Sequence, residues 1–302
     1  MSIFESDIWR IGIVKTPVQN IVSSSSLKGY EICWLPEEPP YRFLADPFGI
    51  WKKNRLYLFA ESYNYRIRKG RIEGFVFDEH LHLQERRPVL EESWHLSYPM
   101  IIEDQEEIYI MPESYKSGET TLYHAVEFPW KWERVKDFTF PEMAIDPTLF
   151  YYQDHWWMFY TPVQAGLSRQ GALCIAWAKN LTGPWHLHPK NPVRVTPESS
   201  RPGGNVILTD QGIILPTQNC SYTYGGSLVF LQITTLTHQD FEAHITGELR
   251  PNDACRLYNQ GIHTLSSIGK YSLIDAKQIL HNPFRRLAID GIYRFKKRLD
   301  RF

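Results

Sequence analysis

One hairpin pattern recurs along this chain and limits what it can fold into. Leu44-Ala-Asp-Pro-Phe-Gly-Ile-Trp-Lys-Lys-Asn-Arg-Leu-Tyr-Leu-Phe-Ala-Glu61 reads as two strands. The first is entered through Asp46-Pro47, a polar turn sits at Lys52-Lys53-Asn54, and the second runs through Leu56–Phe59 to Glu61. Variants follow at Ser97–Glu113, Ile145–Thr161 and Arg201–Gln218, with a weaker copy at Gly261–Asp275. The residues that open them are Asp46, Tyr98, Asp146, Arg201 and His263. A strand-built repeat of about 50 residues is the signature of a propeller or solenoid. Five copies fall within the usual range of blades. The expected fold class is all-β: a five-bladed β-propeller over residues 1–280. In a closed ring the opening residues converge on one central funnel.

Such a ring needs closing. Ile8–Val14 and Gly29–Trp34 are strand candidates that precede the first hairpin, and little sequence follows the fifth. The N-terminal strands are therefore expected to complete the last blade. Between them Ser23–Ser26 reads as a flexible loop, and no helix is expected before residue 277. The tail, residues 281–302, differs. Phe284, Ala288, Ile292, Phe295, Leu299 and Phe302 recur at helical spacing among Arg and Lys residues. A short basic amphipathic helix of this kind either docks on the propeller or lies on an anionic membrane surface.

Composition removes several classes of function. The net charge of −1 gives no case for nucleic acid. Four cysteines without paired spacing indicate free thiols and a reducing compartment. With neither a basic, apolar leader nor a spanning segment, the expected location is cytoplasmic, with peripheral membrane contact open through the tail. Aromatic residues make up 14% of the chain, which serves packing between twisted sheets or sugar stacking at the funnel.

The candidate chemistry lies at the hairpin openings. Asp46 and Asp146 occupy equivalent places in blades one and three, each before a proline expected to hold it extended. Facing carboxylates of this kind suit glycosidic chemistry. Glu61 and Glu113 end the first two hairpins, one layer away, where they either serve the site or pair with Arg42 or Arg201. His95, Tyr98, Arg201, Gln218 and His263 complete the candidate substrate-binding set. The glycines of Arg201-Pro-Gly-Gly204 permit close approach of a ligand. No cofactor and no metal signature is evident, although His263 is a candidate ligand for a structural cation.

Ala45-Asp-Pro47, Ile145-Asp-Pro147 and Asn180-Leu-Thr-Gly-Pro-Trp185 resemble the five-bladed superfamily of arabinanases, invertases and levansucrases. That resemblance implies a nucleophile or base at Asp46 and a transition-state stabiliser or pKa modulator at Asp146. The superfamily's general acid is a Glu, often in Glu-Gly-Pro. Here Arg201-Pro-Gly-Gly204 stands in its place, and Glu113 is the candidate substitute. Over nearly the whole propeller the chain is also similar to the N-terminal region of plant glucosamine inositolphosphorylceramide transferases and related bacterial polysaccharide-biosynthesis proteins. Phe43-Leu-Ala-Asp-Pro47, His95-Leu-Ser-Tyr-Pro99, Ile108-Tyr-Ile-Met-Pro-Glu-Ser114 and Ser200-Arg-Pro-Gly-Gly204 carry this likeness.

Three functions follow as expectations. The first is glycosyl transfer from a phosphate-activated donor, such as a nucleotide sugar, with Arg201 meeting the anionic leaving group. The second is glycoside hydrolysis with a relocated acid. The third is a non-catalytic glycan-binding propeller.

Overall fold

The structure, a computed structural model, describes residues 5–210, 212–282, 289–291 and 293. It holds five antiparallel sheets arranged as blades, each led by one of the recurring hairpins. Blade one is Arg42–Lys52, Arg55–Asn64, Lys69–Phe77 and Leu83–Leu90; blade two is Ser97–Asp104, Glu107–Glu113, Tyr123–Glu127 and Lys131–Arg134. Blade three is built on Ala144–Tyr152, His155–Pro162 and Ala172–Ala178, and blade four on Gly212–Asn219, Ser227–Leu236 and Phe241–Leu249. The inner strand of blade four is split into Arg201–Pro202 and Ile207–Thr209.

The fifth sheet is built from both ends of the described propeller. Its sheet places Leu265–Ile268 innermost, then Tyr271–His281, then the N-terminal strands Glu5–Val14 and Ile32–Trp34. Glu5–Val14 pairs with Tyr271–His281 in unbroken register from Glu5↔His281 to Val14↔Ser272. The chain between these strands corrects the sequence reading, because Val18–Ser24 is a short α-helix. Seven residues cannot hold a helix alone. Val18 and Ile21 are fully buried against Leu228, Phe230 and Ile274, and this packing stabilises it.

The apolar core lies between neighbouring blades. Trp157, Phe159 and Ile175 of blade three meet Leu215, Leu231 and Ile233 of blade four. Ile11, Ile13 and Leu273 of blade five meet Leu44, Leu58 and Phe75 of blade one. The inner hairpins of blades one, two and three turn through paired residues of positive φ: Lys53–Asn54, Gln105–Glu106 and Gln153–Asp154. That geometry matches the twist of the flanking strands.

Most of the expected C-terminal helix lies outside the described residues. The described part is helical at 289–291 and 293, with Ile289 buried, Asp290 paired with Arg68, and the Arg68 guanidinium 4.2 Å from the centre of the Tyr293 ring. Among the described residues, no helix is long and apolar enough to cross a membrane.

Closing the ring through Glu5–Val14 makes that strand a determinant of stability. We predict that Ile11→Ala, at a fully buried site, costs about 2–5 kcal/mol in urea unfolding. Leu208→Ala, at a side chain 55% exposed, should stay within about 0.5 kcal/mol of wild type.

Candidate functional site

Three hairpins open with the same backbone irregularity. Pairing skips from Ala45 to Phe48, from Ser97 to Met100, and from Ile145 to Thr148. The unpaired residues are Asp46-Pro47, Tyr98-Pro99 and Asp146-Pro147. The expectation of an extended pre-proline residue is corrected here: Asp46, Tyr98 and Asp146 have φ of 52°, 46° and 48°. The bulge turns each residue out of the pleat. Asp tolerates this region, whereas Tyr rarely adopts it. At Tyr98 the surrounding contacts hold it there.

Tyr98 is fully buried and spans the ring. Its hydroxyl accepts from Gly204 N at 2.7 Å and lies 2.8 Å from Thr148 Oγ1. Blades two, three and four therefore meet at this phenol. Its backbone N–H donates to Asp46 Oδ2 at 3.1 Å. Gly204, at φ 128°, has no room for a side chain, since a Cβ would lie 1.8 Å from Leu265 O.

Two charged clusters sit on the axis. In the first, Asp46 Oδ1 accepts from Thr264 Oγ1 at 3.1 Å and lies 3.4 Å from His263 Nε2. His263 Nδ1 is 2.7 Å from Asp275 Oδ2, and that oxygen also accepts from Asp46 N at 2.9 Å. Burial pulls the imidazole toward its neutral form, but Asp275 and Asp46 more than offset this and raise its pKa. The ring stacks on Trp9 at 3.8 Å. Burial pushes the Asp46 carboxyl up to about 6, with His263 opposing and Asp275 assisting.

In the second cluster Arg201 holds Asp146 by a fork, with Nε to Oδ2 at 2.6 Å and Nη2 to Oδ1 at 3.2 Å. Gln218 Nε2 adds a bond to Asp146 Oδ2 at 2.7 Å. Arg201 Nη2 also lies 3.4 Å from Glu113 Oε2 and from Tyr224 Oη. Burial and the charge of Asp146 push Glu113 up to about 8, against the pull of Arg201. Glu61 and His95 face each other at 3.7 Å where blade one meets blade two.

The candidate residues Asp46, Asp146, Glu113, Glu61, His95, Tyr98, Arg201, Gln218 and His263 thus lie on or beside one axis. Sequence reasoning did not single out Asp275, Thr264, Tyr224 or Lys277. Asp275 follows Glu61, Glu113, Thr161 and Gln218 as the residue returning to the axis on each second strand, and that series was the available signal. Lys277 is fully buried; its Nζ donates to Thr223 Oγ1 at 2.9 Å and to Tyr224 O. It holds the loop that carries Tyr224 over Arg201. Trp9, Phe43, Tyr63, Tyr65 and Tyr224 form an aromatic collar on the side of blades four, five and one.

Asp46, His263 and Asp275 are also the one group among the described residues whose potential metal-ligand atoms converge, all within 4.8 Å. Their bonding fits a proton better than a cation. Asp275 Oδ1 already accepts the N–H groups of His263 and Thr264, and the Asp275 and Asp46 carboxyl groups favour a proton on the imidazole.

Comparison with known proteins fits this architecture. Residues 4–263 match the family described as glucosamine inositolphosphorylceramide transferase 1, N-terminal. The chain belongs to this family. Relatives named glucosamine inositolphosphorylceramide transferase 1 include one from Oryza sativa subsp. indica, 30% identical over 253 residues, covering 82% of this chain and 33% of the relative. Another, from Arabidopsis thaliana, is 29% identical over 242 residues, covering 78% and 30%. The chain spans about a third of these relatives. Among solved structures, a family 117 glycoside hydrolase from Zobellia galactanivorans superposes with a TM-score of 0.55 at 13% identity, covering 83% of this chain and 90% of that one. An exo-β-1,3-galactanase from Clostridium thermocellum gives 0.54 at 12% identity, covering 72% and 53%. These likenesses show the propeller fold that this family member shares.

Breaking the fork of Arg201 would leave Asp146 a buried, uncompensated charge. We predict that Arg201→Met costs about 3–5 kcal/mol and that adding Asp146→Asn recovers most of it, by urea unfolding. Glu113 holds its proton more tightly folded than unfolded. Its stabilising contribution is therefore full below its ordinary pKa of 4.5 and is lost as pH rises through about 8. Against Glu113→Gln, which cannot ionise, the wild-type melting temperature should fall as pH rises from about 5 to about 9.

Proposed function

We propose that the funnel is the active site of a glycosyl-transferring enzyme in glycolipid or surface-polysaccharide assembly. The arrangement that carries this reading is one axis that sets Asp46 among Tyr98 N–H, Thr264 and His263 and sets Glu113 beside Arg201 and Asp146, which shifts the first carboxyl to about 6 and the second to about 8. Near neutral pH Asp46 is charged and Glu113 keeps its proton. Environments that push two carboxyl groups apart assign base and acid roles. Asp46 then acts as base or nucleophile toward the sugar carbon, oriented by Tyr98 N–H, Thr264 and His263. Glu113 supplies a proton to a leaving oxygen. Asp146 supports it from the Arg201 fork, where its negative charge opposes ionisation of Glu113.

A phosphate-activated donor would add a demand for positive charge. Arg201 is committed to Asp146, so that demand falls on the exposed Lys116 and Arg169. Both lie against the Tyr115 ring, 6.0 and 5.0 Å from its centre. The relatives' name couples a sugar, glucosamine, to a phosphorylated lipid, which supports a sugar ligand here and a lipid-linked acceptor. A cytoplasmic site beside a membrane suits such an acceptor. Hydrolysis is the second reading, because the same two groups would serve with water as acceptor.

The test is incubation with uridine-diphosphate sugars and with nitrophenyl glycosides. Nucleotide release that depends on an acceptor supports transfer, and nitrophenol release in water supports hydrolysis. Turnover should follow a bell with limbs near pH 6 and 8. Asp46→Asn and Glu113→Gln should each lower it about 10²–10⁴-fold. Sugar binding without turnover under any of these conditions would overturn the enzymatic reading.

A further inference from the structure

At the junction of blades one and two, a buried acceptor without a partner faces a half-buried imidazole. Glu61 Oε1 is buried and has no hydrogen-bond partner. His95 Nε2 lies 3.7 Å away, outside hydrogen-bond reach, and the two side chains are 8% and 14% exposed. The imidazole proton can be assigned. Gly70 N–H donates to His95 Nδ1 at 2.8 Å, so Nδ1 offers its lone pair and the proton sits on Nε2. Burial, with the charges of Lys116 and Arg201, pushes this ring down to about 3 and keeps it neutral. Burial, with Asp46 and Glu113 nearby, raises Glu61 well above the usual carboxylate range.

The backbone packs closely around the pair. A Cβ on Gly70 would lie 2.4 Å from Glu61 Oε1 and from Leu96 O, so only glycine leaves the carboxyl its place. Tyr63 follows Glu61 by two residues on one strand, which puts both on the same face of the sheet. Its ring meets His95 edge-on at 5.9 Å and continues into Phe43 and Tyr65 at 5.0 and 5.1 Å. An imidazole N–H, an unpaired acceptor and an aromatic wall thus converge at the funnel.

We propose that Glu61 and His95 form a subsite that reads one hydroxyl group of a sugar packed against Tyr63. The hydroxyl oxygen accepts from His95 Nε2–H while its proton goes to Glu61 Oε1. A hydroxyl satisfies both partners at once. An ammonium offers only donors and leaves Nε2–H unmet. The subsite rests on the carbohydrate reading above and adds to it a selectivity for one neutral hydroxyl.

The test is calorimetric titration with methyl glycosides of glucose, galactose, mannose, xylose and arabinose, with the corresponding uridine-diphosphate sugars, and with their singly deoxygenated forms. For wild type, one deoxy form of a binding sugar should bind at least roughly 10-fold more weakly than its parent. In His95→Phe and in Glu61→Leu, parent and deoxy form should bind within about threefold of each other. Glu61→Gln, which keeps a carbonyl acceptor, should retain most of the discrimination. If Glu61→Leu does not fold, His95→Phe decides. Equal binding of parent and every deoxy form by wild type, or discrimination that survives His95→Phe, overturns the subsite and leaves carbohydrate binding standing. Failure of every sugar to bind wild type overturns the carbohydrate reading and the subsite together.

Discussion

A ring of twisted sheets exists only if its last blade is completed. Here the pairing of Glu5–Val14 with Tyr271–His281 completes it. Without that pairing, Tyr271–His281 would end the fifth sheet as an unpaired edge, open to other chains. The axis depends on the same closure. His263, Thr264 and Asp275 belong to the fifth blade, and Asp46 and Tyr98 to the first and second. Their mutual hydrogen bonds cross from one to the next.

Closure also sets the electrostatic problem of the molecule. Five strand openings project toward one line; carboxyl groups occupy two of them, and Glu61, Glu113 and Asp275 return beside them on the second strands. Carboxylates taken out of water need partners or protons. The molecule uses both solutions. Arg201 and Gln218 neutralise and bond Asp146, while His263 stands between Asp46 and Asp275. Burial shifts Glu113 and Glu61 toward their protonated forms instead.

Much of this was legible in the residues. The hairpins at Leu44–Glu61, Ser97–Glu113 and Ile145–Thr161 carry their register in alternating apolar positions and a polar turn. Their spacing gave the blade count, and the strand candidates before the first hairpin pointed to closure by the N-terminal strands. What was not legible depends on contacts between distant segments. The φ of Asp46 and Tyr98 is dictated by the bulge and by neighbouring blades, which override the local preference before proline. The helix Val18–Ser24 follows from burial of Val18 and Ile21, not from propensity. Asp275 belonged to a position that repeats in space with a different residue in each blade, so no motif marked it. Lys277 reads as an ordinary strand lysine until Asp7, Thr223 and Tyr224 are seen around it.

The joined ends of the ring have a kinetic meaning as well. Glu5 and His281 are neighbours in space yet lie at opposite ends of the propeller's chain. During synthesis a strand made early has no partner until one made late has emerged. Such contacts of high sequence separation slow folding, since chain entropy is lost before they form. The interval leaves Ile8–Val14 as a free, apolar strand in a growing chain, the kind of segment that draws chaperones or mispairs with another copy. Folding of this propeller is thus gated by its final blade, and the axial carboxyl groups reach their shifted proton affinities only once that gate has shut.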